Sequence, residues 1–225
     1  MKLWTIQPIE FWNSLKENGY IFSDTKTVED CFSFFFEDGY IEIDEKWKFA
    51  YDWISDKMRE KVGLPPDNIK YPIWTYYQWN NNRKKPDLRS YKYHLSTEND
   101  FVQEEWVRIE LGVDNKYVLL SDIDKWTSIL SGYLVGGSEQ QEKFDKKMIK
   151  HTGFDHFSVI DDKIPDFLKD EIIKSWDNIF KLKRTKDEED FYGDELSIQA
   201  TIWGIKIDQV KEVNFFKKYK RKERK

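Results

Sequence analysis

The apolar positions of this chain change period several times, and each change marks an element. Near the start, "KLWTIQ" alternates its large apolar side chains, a two-residue period that predicts a short strand. Pro8 then opens "PIEFWNSLKENG", where Ile9, Trp12 and Leu15 fall on one helical face and Gly19 follows the last of them. Proline in the first turn and glycine beyond the last is the expected asymmetry of a helix. "DCFSFFFEDGYIEI" is ambiguous in period, but Asp38-Gly39 between two apolar runs admits a hairpin. From Lys46 to Val62, Trp47, Ala50, Tyr51, Ile54, Met58 and Val62 recur at helical spacing, and Gly63 with Pro65-Pro66 ends the run.

The period shortens again after Pro72. Ile73, Thr75 and Tyr77 alternate with Trp74, Tyr76 and Gln78, which predicts a strand, and "NNNRKKPDLR" predicts a loop. "EWVRIELGV" places Trp106, Arg108 and Glu110 on one side and Val107, Ile109 and Leu111 on the other, a half-exposed strand. "KYVLLSD" reads as its neighbour, with Asp114-Asn115 turning between them. Ser121 or Asp122 then caps a helix containing Ile123, Trp126, Ile129, Leu130 and Tyr133. Gly136-Gly137 precedes a helix to about Lys150, and another runs from Pro165 to about Leu182. "KRTKDEEDFYGDE" reads as a charged loop, "SIQATIWGI" as the last strong strand, and "DQVKEVNFFKKY" as a turn with a short terminal strand. Strands and helices mix without regular βαβ spacing. The expectation is an α+β fold with a mixed or antiparallel sheet and flanking helices. No linker interrupts it, so residues 1–216 are expected to form a single domain, followed by a basic tail at 217–225.

Composition adds the nature of the core. Hydrophobic residues make up 39% of the 225, but aromatics reach 17%, with 10 Trp, 12 Tyr and 16 Phe supplying much of the burial. Charged residues at 35% surround that core, and so many aromatics argue against a disordered chain. The single cysteine, Cys31, excludes an intramolecular disulfide framework and fits a reducing, cytoplasmic setting. No segment has the length of apolar residues that a membrane span needs.

Charge is unevenly spread. The segment "KKYKRKERK" has seven basic residues and one acid, so it is net +6, and the remainder holds −11 of the chain's total of −5. An acidic body argues against a general nucleic-acid face, and only the basic tail offers phosphate contacts. The tail reads first as a solvated extension.

Most chemical motifs are missing. His94, His151 and His156 lack metal-ligand spacing, and one cysteine cannot make a structural zinc site. There is no glycine-rich dinucleotide fingerprint, no phosphate loop and no nucleophile elbow. Cys31, in a Phe-rich run, reads as a small buried hydrophobe.

Three constellations remain. In the first, Trp74, Tyr76 and Trp79 lie beside Lys85, Asp87 and Arg89. That set either stacks a base or nicotinamide and holds its phosphate or carboxylate, or is a core strand with a solvated loop. In the second, Asp122 and Asp124 read as helix capping ahead of a catalytic carboxylate pair, because residues two apart do not face each other on a helix. In the third, Gln199, Thr201 and Trp203 share one side of a strand, facing a pocket or water.

The blocks "LWTIQ", "YPIWTYYQW", "KPDLR", "VLLSDIDKW" and "IQATIWGI", in that order, resemble the DUF3841 family, a domain of unknown function. They span Leu3 to about Phe216. Thr127 and Ser131 stand where that resemblance leads one to expect His and Asn. A more distant resemblance is to ADP-ribosyltransferase-like folds. Their opening strand, helix and glycine is similar to "LWTIQPIEFWNSLKENG", and their late strand with Gln-x-Glu is similar to "QATIW". The resemblance implies an NAD or other nucleotide ligand, with Trp4, Thr5 and Gln7 sharing a cleft with Gln199, Thr201 and Trp203. Thr201 stands where those enzymes carry the Glu that holds the ribose hydroxyl; a hydroxyl can bond a ribose but cannot supply negative charge. The alternative expectation is a non-catalytic module that binds a protein partner in bacterial or phage conflict, since interface cores favour Tyr, Trp and Arg.

Overall fold

A computed structural model describes the chain except for residues 31, 32, 36–40, 67, 89–100, 155–157 and 222–225. At 33–35, 41–43, 101–103 and 218–221 it describes the backbone alone. Three elements that the pattern predicts appear at once. Strand β1 (Lys2–Pro8) leads into helix α1 (Ile9–Asn18). Gly19 takes the left-handed conformation, φ 75°, and its N–H caps the helix on the Leu15 carbonyl at 2.9 Å.

The remaining elements follow in order. Strand β2 (Tyr20–Phe22), helix α2 (Thr25–Asp30) and the antiparallel strands β3 (Ser33–Phe35) and β4 (Ile41–Ile43) precede helix α3 (Glu45–Lys61). Strands β5 (Ile73–Gln78), β6 (Phe101–Gly112) and β7 (Leu119–Asp122) lead to helices α4 (Ile123–Leu130), α5 (Ser138–Thr152) and α6 (Asp166–Ser175). A 3-10 turn at Trp176–Phe180, helix α7 (Lys186–Tyr192) and strands β8 (Ile198–Ile202), β9 (Gly204–Lys206) and β10 (Val210–Arg221) complete the chain.

Six strands form one antiparallel sheet in the order β10-β6-β1-β5-β8-β7, and β2 pairs with β9 beside it. The two faces of the sheet bury different cores. On one, Leu3, Ile73, Val107, Ile109, Leu111, Ala200 and Ile202 pack under Leu15 and the other apolar side chains of α1. On the other, Trp74, Leu119 and Trp203 meet a helical layer built from α3, α4, α5 and α6 with Trp176 and Ile179. The period-two pattern of β6 and β8 therefore assigned their faces correctly. This is an α+β domain with flanking helices.

Four expectations need correction. "KYVLLSD" does not neighbour β6. A 3-10 turn at Asn115–Tyr117 carries the chain away, and β7 pairs with β8 at the far edge. "KRTKDEEDFYGDE" contains a helix: Thr185 and Glu188 make a reciprocal capping box that starts α7 despite its few apolar residues. The helix expected from Pro165 to Leu182 stops being α-helical at Ser175 and continues as the 3-10 turn. The terminal strand is long, and Lys217–Arg221 continue it along Glu105–Phe101. Lys217 stands opposite Glu105, a charge match that favours pairing over solvation.

Candidate functional site

The register sets one continuous row across the sheet. Glu110 lies opposite Trp4, Trp4 opposite Tyr76, Tyr76 opposite Gln199, and Gln199 opposite Ser121. All five belong to the face that carries the helical layer. Segments from near both ends of the chain thus join one surface, with β5 between them rather than in direct pairing. A register irregularity between Tyr76 and Gln78 interrupts β5 at this row. Such bulges bend a strand and re-aim its side chains.

Beside the row stands an aromatic wall. Trp74 is opposite Thr201, one step along from Tyr76. Its ring lies 4.8 Å from that of Trp126 on α4, at a 41° tilt, and Tyr51 on α3 meets both rings edge-on at 5.9 and 5.6 Å. Trp74, Tyr76, Gln199 and Tyr51 are half-buried, so the wall keeps some contact with solvent. Tyr71 backs Tyr51 from inside the protein, and burial raises its phenol above the ordinary value.

The polar atoms of this surface are unusual. Trp74 Nε1, Ser121 Oγ and Gln199 Nε2 are buried and have no hydrogen-bond partner among the described residues. They sit on three adjacent strands and on one face: Gln199 is directly opposite Ser121 and diagonal to Trp74, whereas Trp74 and Ser121 are separated by β8. Leaving a buried polar group unpaired costs about 1–3 kcal/mol. Three together mark a place where the fold does not optimise its own stability.

The other residues singled out from the sequence divide between several places. Thr5 and Gln7 lie on the opposite face, with Gln7 Nε2 donating to Thr5 Oγ1 at 2.8 Å and Thr5 Oγ1 donating to the Trp74 carbonyl. Trp4 is on the row, but its indole N–H is engaged by Glu110 at 3.0 Å and its side chain is buried. Thr201 is fully enclosed and donates to the Leu119 carbonyl at 3.4 Å and towards Met58 Sδ. Trp203 donates to the Gly63 carbonyl at 2.8 Å. Lys85 pairs with Glu212 at 3.2 Å, at the β10 side of the sheet, and Asp87 is exposed on the same loop. Trp79 is 47% exposed and meets Tyr76 edge-on at 6.2 Å. Arg89, Cys31, His94 and His156 lie outside the described residues.

Trp79 also explains "NNN". Asn80 and Asn81 take left-handed conformations, φ 44° and 61°, between the bridged residues Trp79 and Asn82. Asparagine tolerates that conformation, which a two-residue hairpin turn requires. The turn is tied to the approach to β8: Asn81 N–H donates to the Leu196 carbonyl at 2.9 Å, and the Leu196 N–H donates to Asn81 Oδ1 at 3.1 Å. A cavity of about 370 Å³ opens here, lined by Trp79, Asn80, Asp124, Tyr192 and Glu195 among others.

Behind Ser121 lies an ion network that no local pattern announces. Asp122 caps α4, its Oδ1 accepting from the Asp124 N–H at 2.9 Å, and Arg184 grips both of its oxygens. Arg184 also meets Asp124 at 2.5 Å. Burial opposes the Arg184 charge, but the two carboxylates outweigh it and hold its pKa above the ordinary value. Lys125, fully buried, pairs with Glu188 at 2.5 Å. These groups fix the end of β7 rather than face the row.

A second hollow, about 760 Å³, lies between the small β2–β9 sheet and the Leu64–Pro66 segment and is mostly apolar. Among the described residues no group of three or more His, Cys, Asp or Glu side chains is placed to hold a metal ion. Among the described residues, too, no helix is long and apolar enough to cross a membrane.

A family model described as "Domain of unknown function (DUF3841)" matches residues 2–211. The chain belongs to the DUF3841 family. No curated protein and no solved structure matches it. The match reaches from β1 into the first residues of β10, so the row, the wall and the ion network all lie within the DUF3841 domain.

Proposed function

We propose that this DUF3841 domain binds a nucleotide, NAD among the candidates, by its planar ring against the Trp4–Tyr76–Gln199–Ser121 row and the Trp74 wall. The observation that carries the reading is the trio of buried, unpartnered polar atoms on Trp74, Ser121 and Gln199, set among half-buried aromatic rings. A flat ligand with polar edges satisfies both features. Its face packs on rings, and its edge recovers hydrogen bonds that the fold leaves unmade. Lys85 and Arg89, two of the basic residues that follow β5 in the sequence, are assigned to the ligand's charge.

The likeness to ADP-ribosyltransferase-like folds is retained only at the level of fold and ligand. On that likeness Thr201 stands for the carboxylate of the ADP-ribosyltransferase-like folds, and its hydroxyl is enclosed and bonded to the Leu119 carbonyl. The reading is therefore of binding, in a cytoplasmic setting, without the carboxylate step of those enzymes.

Isothermal titration of the purified protein with NAD and with adenine, hypoxanthine, uracil and guanine nucleotides tests this. Saturable heat from at least one of them, reduced by Gln199→Leu, is the expected result. Folded protein that gives no heat with any of them overturns it.

A further inference from the structure

The apolar hollow beside β2 and β9 is a place apart from the row, and its walls describe what fits it. Val113, Ile202 and Ile205 line it and are almost wholly buried, so they form its floor. Tyr20, Leu64 and Tyr117 stand at its rim, 54%, 82% and 51% exposed. Large apolar side chains grouped around one concavity mark a binding place, whereas single ones scattered over a surface do not. The volume, about 760 Å³, is that of a small-molecule site. Its shape is built into the fold. Gly204 stands opposite Phe22 in the β2–β9 pair, and a Cβ there would meet the Phe22 ring at 2.4 Å. Glycine thus lets that ring lie against the β9 backbone. Trp203 Nε1 donates to the Gly63 carbonyl at 2.8 Å, which ties the Leu64–Pro66 segment to the end of β8.

The polar groups beside the floor are paired within the fold. The Trp203 indole has Gly63, the Lys206 N–H has Gln209 Oε1 at 2.8 Å, and the Gly19 carbonyl accepts from the Ile207 N–H at 2.9 Å. Two charged residues line the hollow, Lys206 and Asp208, and their signs cancel. Lys116, whose ammonium lies 4.8 Å from the Tyr117 ring, has Asp114 at 3.7 Å. Tyr20 and Phe22 meet at 5.4 Å and 49°, and present faces and edges on which a further ring packs. We infer that the hollow binds a neutral, mainly apolar small molecule carrying a ring, held by Tyr20, Phe22 and Tyr117 and covered by Leu64. A charged ligand would lose hydration there and gain no partner at the floor.

N-phenyl-1-naphthylamine and 1-anilinonaphthalene-8-sulfonate are the probes, because they share one ring system and only the second carries a charge. Their fluorescence is titrated on the whole protein and on Leu64→Asp and Tyr117→Ser, rim variants at exposed positions where folding tolerates change. The expected result is one saturable site per chain for the neutral amine, binding at least about tenfold more tightly than the sulfonate. Each variant should weaken the amine at least about threefold by removing apolar contact at the rim. No saturable binding of the amine overturns the inference. A sulfonate that binds as tightly also overturns it, since the hollow then accepts charge. Amine binding unchanged in both variants does so too, because the probe then sits elsewhere. So does a dimer, seen in size-exclusion chromatography, that Leu64→Asp dissociates: the hollow is then an interface between copies. None of these results bears on nucleotide binding at the row, so the two readings fail separately.

Discussion

Arg184 holds Asp122 through two parallel hydrogen bonds, Nε to Oδ2 at 2.8 Å and Nη2 to Oδ1 at 2.7 Å, with both side chains almost wholly buried. Arg184 Nη1 also donates to the carbonyls of Tyr192 and Gly193. One guanidinium therefore ties the end of β7 and the start of α4 to the end of α7. Ser121, on the row, is the residue immediately before this clamp.

Removing one half of that pair strands the other. Arg184→Met is expected to cost about 3–5 kcal/mol, the usual range for a buried charge left alone. Asp122→Asn with Arg184→Met should cost less than Arg184→Met by itself, because asparagine keeps the helix cap and removes the stranded charge. Urea denaturation of four proteins, the parent, both single variants and the double variant, measures these differences. Additive losses would show that the charges are not coupled.

Glu188 gives a pH signature. Burial alone would raise its pKa, but Lys125 and the Thr185 N–H hold it below the ordinary carboxylate value of 4.5. A carboxylate depressed in the folded state stabilises above its unfolded pKa, and that contribution is lost as pH falls through the folded value. The stability gap between the protein and Glu188→Gln should be constant from neutral pH to about 5, then shrink below 4.5. Chemical denaturation across that range is the check. A gap that widens on acidification would reverse the assigned sign.

The asparagine turn separates backbone from side-chain effects. Asn81→Gly keeps access to φ 61° and the backbone bond to the Leu196 carbonyl but loses the side-chain bonds to the Leu196 N–H and the Asp194 carbonyl. Asn81→Val loses the same bonds and adds a β-branched residue in the left-handed region, so it should be less stable than Asn81→Gly by about 1–2 kcal/mol. Thermal unfolding of the two variants reads the difference. Equal stability would place the constraint in the side-chain bonds alone.

These features were unequally visible in the amino-acid sequence. The alternation in β1, β5, β6 and β8 is local, and it names the face of each side chain: Val107, Ile109 and Leu111 are fully buried as the pattern implies. Alternation does not name the neighbour. It could not show that β5 stands between β1 and β8, or that β7 leaves β6, because strand order is decided by packing between distant segments. The same limit split Thr5 and Gln7 from Trp4. Proximity along the chain suggests a shared cleft, whereas a two-residue period sends Trp4 to the other face. Helix α7 was hidden by its charge, although Thr185-x-x-Glu188 is a capping box in plain view. Arg184 carried no signal at all, since its partner Asp122 lies 62 positions away.

The central claim is that Trp74 Nε1 meets a ligand, and the indole resonances of nitrogen-labelled protein observe that atom directly. Trp74→Phe identifies its peak among those of the 10 tryptophans. On titration with the nucleotide that binds most tightly, that peak should move saturably, with the same midpoint as the heat of binding. If it stays in place while the protein saturates, the ligand lies elsewhere and the row is only an imperfectly paired part of the core.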